Sequence, residues 1–223
     1  MIIRVVGIGP AGSHWMTAEA KEALQWAQFI IGTERQLECV KGLIDLSQKT
    51  YAYESLTRDM TEKIDAFIES EVKTSENPKG NFTKWGLGVV VLASGDPSLY
   101  GIGKYLINRY GQEMVTITAG ISSVQYLFAA VGQDMNDVYI TSCHGREVNF
   151  DRVFAMPKTA LLTDEKIGPY QIAAEAIKRG LDPKMIIGES LGYENEHYEM
   201  YTATSVTNRA YAMNVVIVIN EEA

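Results

Sequence analysis

Two patterns of apolar positions alternate along the first half of the chain. Short runs of branched apolar residues, typical of strands covered on both faces, occur at residues 2–7, 29–31, 89–93 and 115–118. Between them, apolar residues recur at helical spacing, at residues 18–27 behind a Thr17 cap, 57–72, 98–110 and 122–131. Strand, loop and helix follow one another repeatedly, which predicts an α/β layer on a mostly parallel sheet.

The second half has a different pattern, which predicts a mixed sheet. Strands are expected at residues 138–142, 160–163, 185–188, 198–204 and 215–220, and a helix at 169–179 is closed by Gly180. The change of pattern lies between Gln133 and Asp137, so we expect an N-terminal α/β domain at 1–134 and a C-terminal α/β domain at 135–223. The polar segment 73–88 is expected to be a surface loop, with a short strand at 82–85.

Charge and cysteine content narrow the classes of function. The formal net charge of −8 argues against a protein that follows nucleic-acid phosphates, because such proteins carry clustered Lys and Arg. The apolar runs are far shorter than the ~20 residues of a membrane span, and the chain opens directly into the first predicted strand, so we expect neither a membrane span nor a signal peptide. Two distant cysteines support neither a disulfide framework nor a zinc site, so we expect a cytoplasmic protein without a bound metal.

The first loop contains a G-x-G-x-x-G motif, formed by Gly7, Gly9 and Gly12. The motif is typical of flavin and nicotinamide proteins, in which a helix begins inside it and its amide groups meet the pyrophosphate. Here the first credible helix cap is Thr17, a full turn or more too late. These glycines are equally consistent with a tight turn whose backbone passes close to a ligand or a neighbouring loop.

Two later loops, at 94–101 and 119–123, follow buried strands and carry residues suited to ligand binding. Ligands of open α/β sheets collect at the carboxyl ends of the strands. In the first loop Gly95 permits a close backbone approach, Asp96 offers a carboxylate and Pro97 is expected to start the next helix. In the second, Ser122 and Ser123 offer hydroxyl groups. Helix capping explains Asp96 and both serines as well as ligand binding does.

Together, these motifs resemble the tetrapyrrole methylases. The chain carries G-I-G-P near its start, then T-A-E-A, S-G-D-P-S-L-Y-G and A-G-I-S-S-V-Q-Y. Downstream, S-C-H-G-R, L-L-T-D and E-S-L-G-Y-E-N-E resemble the cobalt-precorrin-7 carbon-5 methyltransferase branch, so the resemblance covers nearly the whole chain. Two positions depart from the family pattern: Ala119 stands where proline is usual, and Ala11 is an extra residue in the opening loop.

The resemblance implies two α/β domains with a cleft between them, a homodimer, and S-adenosylmethionine as the methyl donor, leaving as S-adenosylhomocysteine. It also implies which residues bind this cofactor. The expected contacts are Gly95, Asp96, Pro97, Leu99, Tyr100, Gly101, Ser122, Ser123, Leu162, Leu191 and Gly192. Asp96 is expected to serve its own loop more than the ligand, and Glu194 and Glu196 to order the loop after Gly192.

Methyl transfer from a sulfonium needs alignment and exclusion of water, not a metal. For the carboxylates of the substrate we expect Arg35 and Arg146 as anchors, because a guanidinium stays charged and pairs with both oxygens. Pro10 is expected beside the substrate, and His144 to move a proton or bind a propionate. A surface position or a structural ion pair would explain the two arginines and His144 equally well. The run Ser142 to His144 is sequential and is not a catalytic triad.

The expected function is methylation of carbon 5 of cobalt-precorrin-7 in cobalamin biosynthesis. The alternatives are another tetrapyrrole-methylase specificity, at a different precorrin carbon or in diphthamide synthesis, and a flavin or NAD protein that uses residues 7–12. Related aerobic enzymes also act at carbon 15 and decarboxylate through an additional C-terminal domain. This chain has only three residues after its last expected strand. We therefore expect no decarboxylation, and a separate enzyme as the partner for carbon 15.

Overall fold

The computed structural model describes residues 3–55, 58–74 and 88–220 of the 223-residue chain, with the side chains of 71–74 excepted. The chain divides into two compact units, Met1–Ser122 and Ser123–Ala223. The predicted strand at 82–85 and the predicted helix start at residue 57 lie outside the described residues.

The first unit is built on a parallel sheet of five strands. The strands are β1 (Ile3–Gly7), β2 (Phe29–Gly32), β3 (Lys49–Ala52), β4 (Val89–Ala93) and β5 (Val115–Thr118). Their order across the sheet is β3-β2-β4-β1-β5, and each neighbouring pair is parallel. All residues of β1, β2 and β4 are buried, because both faces of the sheet are covered.

Helices cover the sheet on both faces. They are α1 (Ala18–Gln25), α2 (Glu34–Val40), α3 (Asp59–Thr74) and α4 (Gly103–Tyr110). Alternate residues of β4 belong to different core clusters: Val90 and Leu92 pack with α1 and α2, whereas Val89, Val91 and Ala93 pack with α3 and α4. This alternation is the physical reason why the strand reads as continuously apolar.

The second unit contains a mixed sheet. Its strands are β6 (Val138–Ser142), β7 (Lys158–Leu162), β8 (Lys184–Glu189), β9 (His197–Thr202) and β10 (Asn214–Ile219), in the order β6-β7-β10-β8-β9. Only the β6–β7 pair is parallel, and β10 runs antiparallel to both its neighbours. Its helices are α5 (Ser123–Ala130), α6 (Phe150–Ala155) and α7 (Pro169–Lys178). The α/β class with one parallel and one mixed sheet is thereby confirmed.

Contacts divide the chain earlier than the boundary predicted after residue 134. Helix α5 packs on β7 and β10 of the second sheet, and the Leu127 side chain lies against Gly188. The sequence placed this helix with the strand that precedes it, whereas its apolar face belongs to the following sheet. The division into domains at 1–134 and 135–223 stays a prediction.

Four elements differ from the sequence prediction. The helix expected directly after Pro97 begins only at Gly103, and residues 97–102 form turns instead. Helices α2 and α6 and strand β3 were not predicted. Among the described residues, no helix is both long enough and apolar enough to cross a membrane.

Candidate active site

The carboxyl ends of the parallel strands bring four loops of the first unit to one edge of the sheet. Gly9 and Pro10 follow β1, Arg35 follows β2, the loop from Ser94 to Gly101 follows β4, and Gly120 follows β5. Ligands of open parallel sheets bind at this edge. We call it the first edge.

Glycines allow three loops of the first edge to touch through their backbones. A Cβ on Gly7 would lie 2.7 Å from both the Gly120 Cα and the Gly95 carbonyl oxygen. A two-residue bridge joins Gly9 to Gly95, with the Gly95 amide donating to the Gly9 carbonyl at 2.8 Å. The three loops therefore form one backbone cluster that admits no side chain.

The Asp96 carboxylate fastens this cluster. Its Oδ2 accepts a hydrogen bond from the Gly120 amide at 3.0 Å, and its Oδ1 accepts from the Ser98 amide at 2.7 Å and from the Ser98 hydroxyl. Partial burial alone would raise the pKa of Asp96, but these hydrogen bonds outweigh it and lower the pKa below its ordinary value of 3.8. The expectation that Asp96 serves its own loop agrees with these contacts.

Asp96→Asn is expected to loosen the β4 and β5 loops. Hydrogen bonds to a carboxylate contribute up to ~3 kcal/mol, and the partial exposure of this group reduces the expected loss of unfolding free energy to about 1 kcal/mol. The wild-type contribution is complete above the ordinary pKa of 3.8 and is lost as the pH falls through the lowered folded value. The gap between wild type and variant is therefore expected to shrink in acid.

Urea unfolding of both proteins between pH 7 and pH 3 measures this gap, and calorimetry with S-adenosylhomocysteine at pH 7 measures ligand affinity. Asp65→Asn is the matched control, because Asp65 binds Arg109 on helices α3 and α4 and touches none of these loops. A gap that stays constant across this range would show that the Asp96 charge does not hold the loop.

Turns between Pro97 and Ile102 replace the expected helix start. The Pro97 carbonyl accepts from the Gly103 amide at 3.0 Å, and a Cβ on Gly101 would lie 2.6 Å from the same oxygen. Tyr100 adopts a φ of 52°, and 43% of it is exposed. Pro97 therefore starts a compact turn that presents Leu99, Tyr100 and Gly101 at the first edge.

The opening glycine motif is not followed directly by the α-helix that a dinucleotide site requires. Helix α1 begins at Ala18, with Thr17 accepting from the Ala20 amide as predicted. Gly9 and Gly12 have φ values of 72° and 92°, and a Cβ on either would collide with Trp15 or Cys39. These glycines serve close packing of the backbone, which was the second interpretation of the motif.

Residues predicted for the substrate occupy different environments at the first edge. Pro10 is buried, whereas Arg35 is exposed and donates from Nη2 to the Ser94 hydroxyl at 2.9 Å.

The two serines predicted for the cofactor lie where the first unit ends. Ser122 is only 3% exposed and is the last residue of that unit, and Ser123 begins helix α5.

A corresponding edge exists in the second unit, where the carboxyl ends of β6, β7 and β8 point the same way. This second edge carries the remaining predicted residues, namely His144, Arg146, Leu162, Leu191 and Gly192. Leu191 is 3% exposed and Leu162 is half-buried, so the edge offers apolar surface beside its polar groups.

Hydrogen bonds fix the loop that follows β8. The Gly192 amide donates to Glu196 Oε2 at 2.5 Å, and the Asn195 side chain donates to the Ser190 hydroxyl at 3.2 Å. Burial and a hydrogen bond to Glu196 raise the pKa of Tyr126 to about 12. Glu196 thus orders this loop in the way the sequence suggested.

Glu189, at the end of β8, joins this loop to residues 207–213. Its carboxylate accepts from both terminal nitrogens of Arg209, at 3.0 Å for Nη1, and from the Ala212 amide at 2.9 Å. The Ser190 amide donates to the Met213 carbonyl at 2.9 Å, and the Arg209 guanidinium lies 3.8 Å from the centre of the Tyr211 ring. We call this group the Glu189 clamp.

The β6 loop carries no activated nucleophile. Cys143 is 2% exposed, and burial raises the pKa of its thiol to about 11, which keeps it protonated. His144 and Arg146 are exposed, and Gly145 between them has a φ of 63°. The backbone hydrogen bond from Ile167 is the largest cause that lowers the pKa of Asp164, and the nearby His144 adds a smaller effect in the same direction. Proton transfer and anion binding by these exposed side chains stay predictions.

Sequence reasoning missed several residues that build these edges, namely Ser94, Gln36, Tyr53, Ser98, Glu189 and Arg209. Two of them, Ser98 and Gln36, carried a local signal in the sequence. Ser98 forms an Asx-type turn with Asp96, and Gln36 forms a capping box with Thr33. The Glu189–Arg209 pair had none, because its partners are 20 residues apart. Among the described residues, no group of His, Cys, Asp and Glu is arranged to hold a metal.

Comparison with known proteins gives consistent matches. Residues 3–207 match the family model of the tetrapyrrole (corrin/porphyrin) methylases. The cobalt-precorrin-7 C(5)-methyltransferase of Salmonella typhimurium is 38% identical over 221 residues, which cover 99% of this chain and 100% of the relative.

Solved structures share the fold. The precorrin-6Y methylase of Archaeoglobus fulgidus is 21% identical with a TM-score of 0.70, covering 99% of this chain and 98% of that one. The uroporphyrin-III C-methyltransferase of Thermus thermophilus, solved with S-adenosylhomocysteine, is 18% identical with a TM-score of 0.68 and the same coverage.

Proposed function

Because the chain belongs to the tetrapyrrole methylases, we propose that it transfers a methyl group from S-adenosylmethionine to carbon 5 of cobalt-precorrin-7. The observation that carries the proposal is the 38% identity with a relative named for this reaction, over that relative's entire length. A relative named for carbon 5 alone also supports methylation without decarboxylation.

The residues of the two edges have the chemistry that this cofactor requires. At the first edge, the Asp96–Gly120 hydrogen bond holds the β4 and β5 turns in place before a ligand arrives, and hydroxyl and backbone groups suit a methionine moiety. We assign Gly95, Pro97, Leu99, Tyr100, Gly101, Ser122 and Ser123 to this contact. Leu162, Leu191 and Gly192 supply the apolar and backbone surface that an adenosine requires, and we assign them to it.

Bound S-adenosylmethionine supplies a methyl group that its sulfonium already activates. The chain's own task is then to align the acceptor carbon and exclude water, which agrees with the buried, protonated Cys143 thiol. Arg35 and Arg146 are proposed to bind substrate carboxylates, Pro10 to lie beside the substrate, and His144 to accept a proton or bind a propionate.

Incubation with cobalt-precorrin-7 and carbon-13-labelled S-adenosylmethionine tests the function. We expect a mass increase of one labelled methyl group, with the label at carbon 5 by nuclear magnetic resonance, and no carbon dioxide. A label at another carbon would assign a sister specificity. Binding of S-adenosylhomocysteine without any transfer would show that the acceptor is a different molecule. Bound flavin in the purified protein would contradict the proposal.

We also propose a cytoplasmic homodimer, with a separate enzyme that methylates carbon 15 and decarboxylates. The resemblance to the family supports the dimer, and the thiol state of Cys39 and Cys143 is compatible with a reducing compartment. Sedimentation equilibrium measures the mass of the assembly, and a single-chain mass at micromolar concentration would contradict the dimer.

A further inference from the structure

Arg35 and Tyr53 both lie at the first edge, at the ends of the neighbouring strands β2 and β3. Arg35 lies in the first turn of α2, directly after β2, and Tyr53 is the first residue after β3. The Tyr53 amide donates to the Gly32 carbonyl at 2.9 Å, so the chain after β3 is fixed against the end of β2. Ser94, at the end of β4, lies on the other side of β2 in the strand order.

A chain of hydrogen bonds holds the Arg35 guanidinium in place. The buried Gln36 side chain accepts from the Thr33 amide at 2.8 Å and donates from Nε2 to the Ser94 hydroxyl at 3.1 Å. The same hydroxyl accepts from Arg35 Nη2 at 2.9 Å. The exposed arginine is therefore oriented through a buried partner, which lowers the entropy lost when it binds an anion.

Tyr53 adds a hydroxyl group to this position. Its ring packs in the core with Met60 and Ile64 and is 8% exposed, while its hydroxyl makes no hydrogen bond within the described parts of the chain. Burial raises the pKa of Tyr53, and the nearby Arg35 only partly offsets this effect. The phenol therefore remains a hydrogen-bond donor at neutral pH.

A fixed guanidinium near a phenol is suited to one carboxylate, since both groups can donate hydrogen bonds to the carboxylate oxygens. We propose that Arg35 and Tyr53 form a subsite for a single carboxylate of the tetrapyrrole substrate, with Ser94 as the positioning residue. The subsite adjoins the cofactor turn, because Ser94 directly precedes Gly95. This inference rests on the proposed function and adds Tyr53 and Ser94 to it.

Steady-state kinetics of the full chain test the subsite, with KM for cobalt-precorrin-7 and KM for S-adenosylmethionine measured separately. Loss of a hydrogen bond to a charged group corresponds to roughly ten- to hundred-fold in binding. We expect this increase in the tetrapyrrole KM for Arg35→Gln, and an increase of about five- to ten-fold for Tyr53→Phe and Ser94→Ala. Ser94→Thr retains the hydroxyl and should restore most of the affinity.

The KM for S-adenosylmethionine should stay close to wild type in all these variants. The melting temperature should stay close to wild type in Arg35→Gln, Tyr53→Phe and Ser94→Thr, whereas Ser94→Ala removes the acceptor of the buried Gln36 amide and should melt lower. Arg109→Gln is the matched control, because it removes the same charge from α4 and its partner is Asp65. A tetrapyrrole KM that rises equally in Arg109→Gln and Arg35→Gln, or that is unchanged in Tyr53→Phe and Ser94→Ala, would overturn the subsite.

A binding experiment separates failure of the subsite from failure of the proposed function. Fluorescence titration with uroporphyrin as the free acid and as its methyl ester needs no methyl transfer. We expect the wild type to prefer the free acid and Arg35→Gln to lose most of this preference. Methyl transfer to cobalt-precorrin-7 with no effect of Arg35→Gln in either assay would leave the function standing and reject the subsite. A preference for the free acid that Arg35→Gln loses, in a protein that transfers no methyl group to cobalt-precorrin-7, would support the subsite and reject the proposed function.

Discussion

Gly120→Ala is expected to abolish binding of S-adenosylhomocysteine and to destabilise the first unit. A Cβ at this position would collide with the Gly95 carbonyl oxygen and lie 2.8 Å from the Gly7 Cα. Both neighbours are backbone atoms of buried glycines, so they cannot rotate away as a side chain would. The β1, β4 and β5 loops must then separate, which breaks the bond between Asp96 and the Gly120 amide. Overpacking of this kind costs about 1–3 kcal/mol.

Urea unfolding measures the stability of this variant and calorimetry its affinity for S-adenosylhomocysteine. Gly42→Ala is the matched control in the same unit, because a Cβ on Gly42 meets nothing within 4 Å. Its alanine should leave affinity and stability close to wild type. Tight ligand binding by Gly120→Ala would show that the three-loop cluster does not shape the cofactor site.

The sheets were predictable wherever both faces of a strand are covered. Residues Val89–Ala93 alternate between two core clusters, so the whole segment must be apolar, and the observed strand coincides with the predicted one. Strand β3 lacked this signal because it lies at the sheet edge, with three of its four residues exposed. Helix α2 has only seven residues, too few for a convincing apolar period, although its capping box was present in the sequence.

The candidate site was predictable in position but not in its internal bonds. Motifs after strands point to the carboxyl edge of a parallel sheet, which is why residues far apart in sequence meet there. The Asp-Pro pair after β4 predicted a helix start, because such pairs commonly cap helices. The Asp96 carboxylate bonds instead to Gly120, 24 residues later, and no local pattern contains that partner. The contact between Arg35 and Ser94 could not be predicted for the same reason, because the two residues are 59 positions apart and no local pattern contains both.

Glu189→Gln is expected to release the Glu189 clamp and to weaken the loop that follows β8. Glu189 is 7% exposed, and its carboxylate accepts hydrogen bonds from Arg209 and from the Ala212 amide. The side-chain NH₂ group of a glutamine at this position would face those same donors and could not accept from them. Removing one partner of a buried pair costs about 3–5 kcal/mol. Because the Arg209 side chain is 40% exposed and can regain water, we expect about 2–3 kcal/mol here.

Glu189→Gln should also weaken ligand binding. Ser190, whose amide donates to the Met213 carbonyl, directly precedes Leu191 and Gly192, which we assign to the cofactor. We therefore expect S-adenosylhomocysteine to bind about ten-fold more weakly, since a mobile loop must be ordered on binding. Calorimetry and urea unfolding measure both effects. Glu175→Gln is the matched control, because Glu175 also pairs with an arginine of this unit, Arg179, but at the exposed surface of α7. Equal and small changes in the two variants would mean that the Glu189 clamp neither stabilises the unit nor orders the loop.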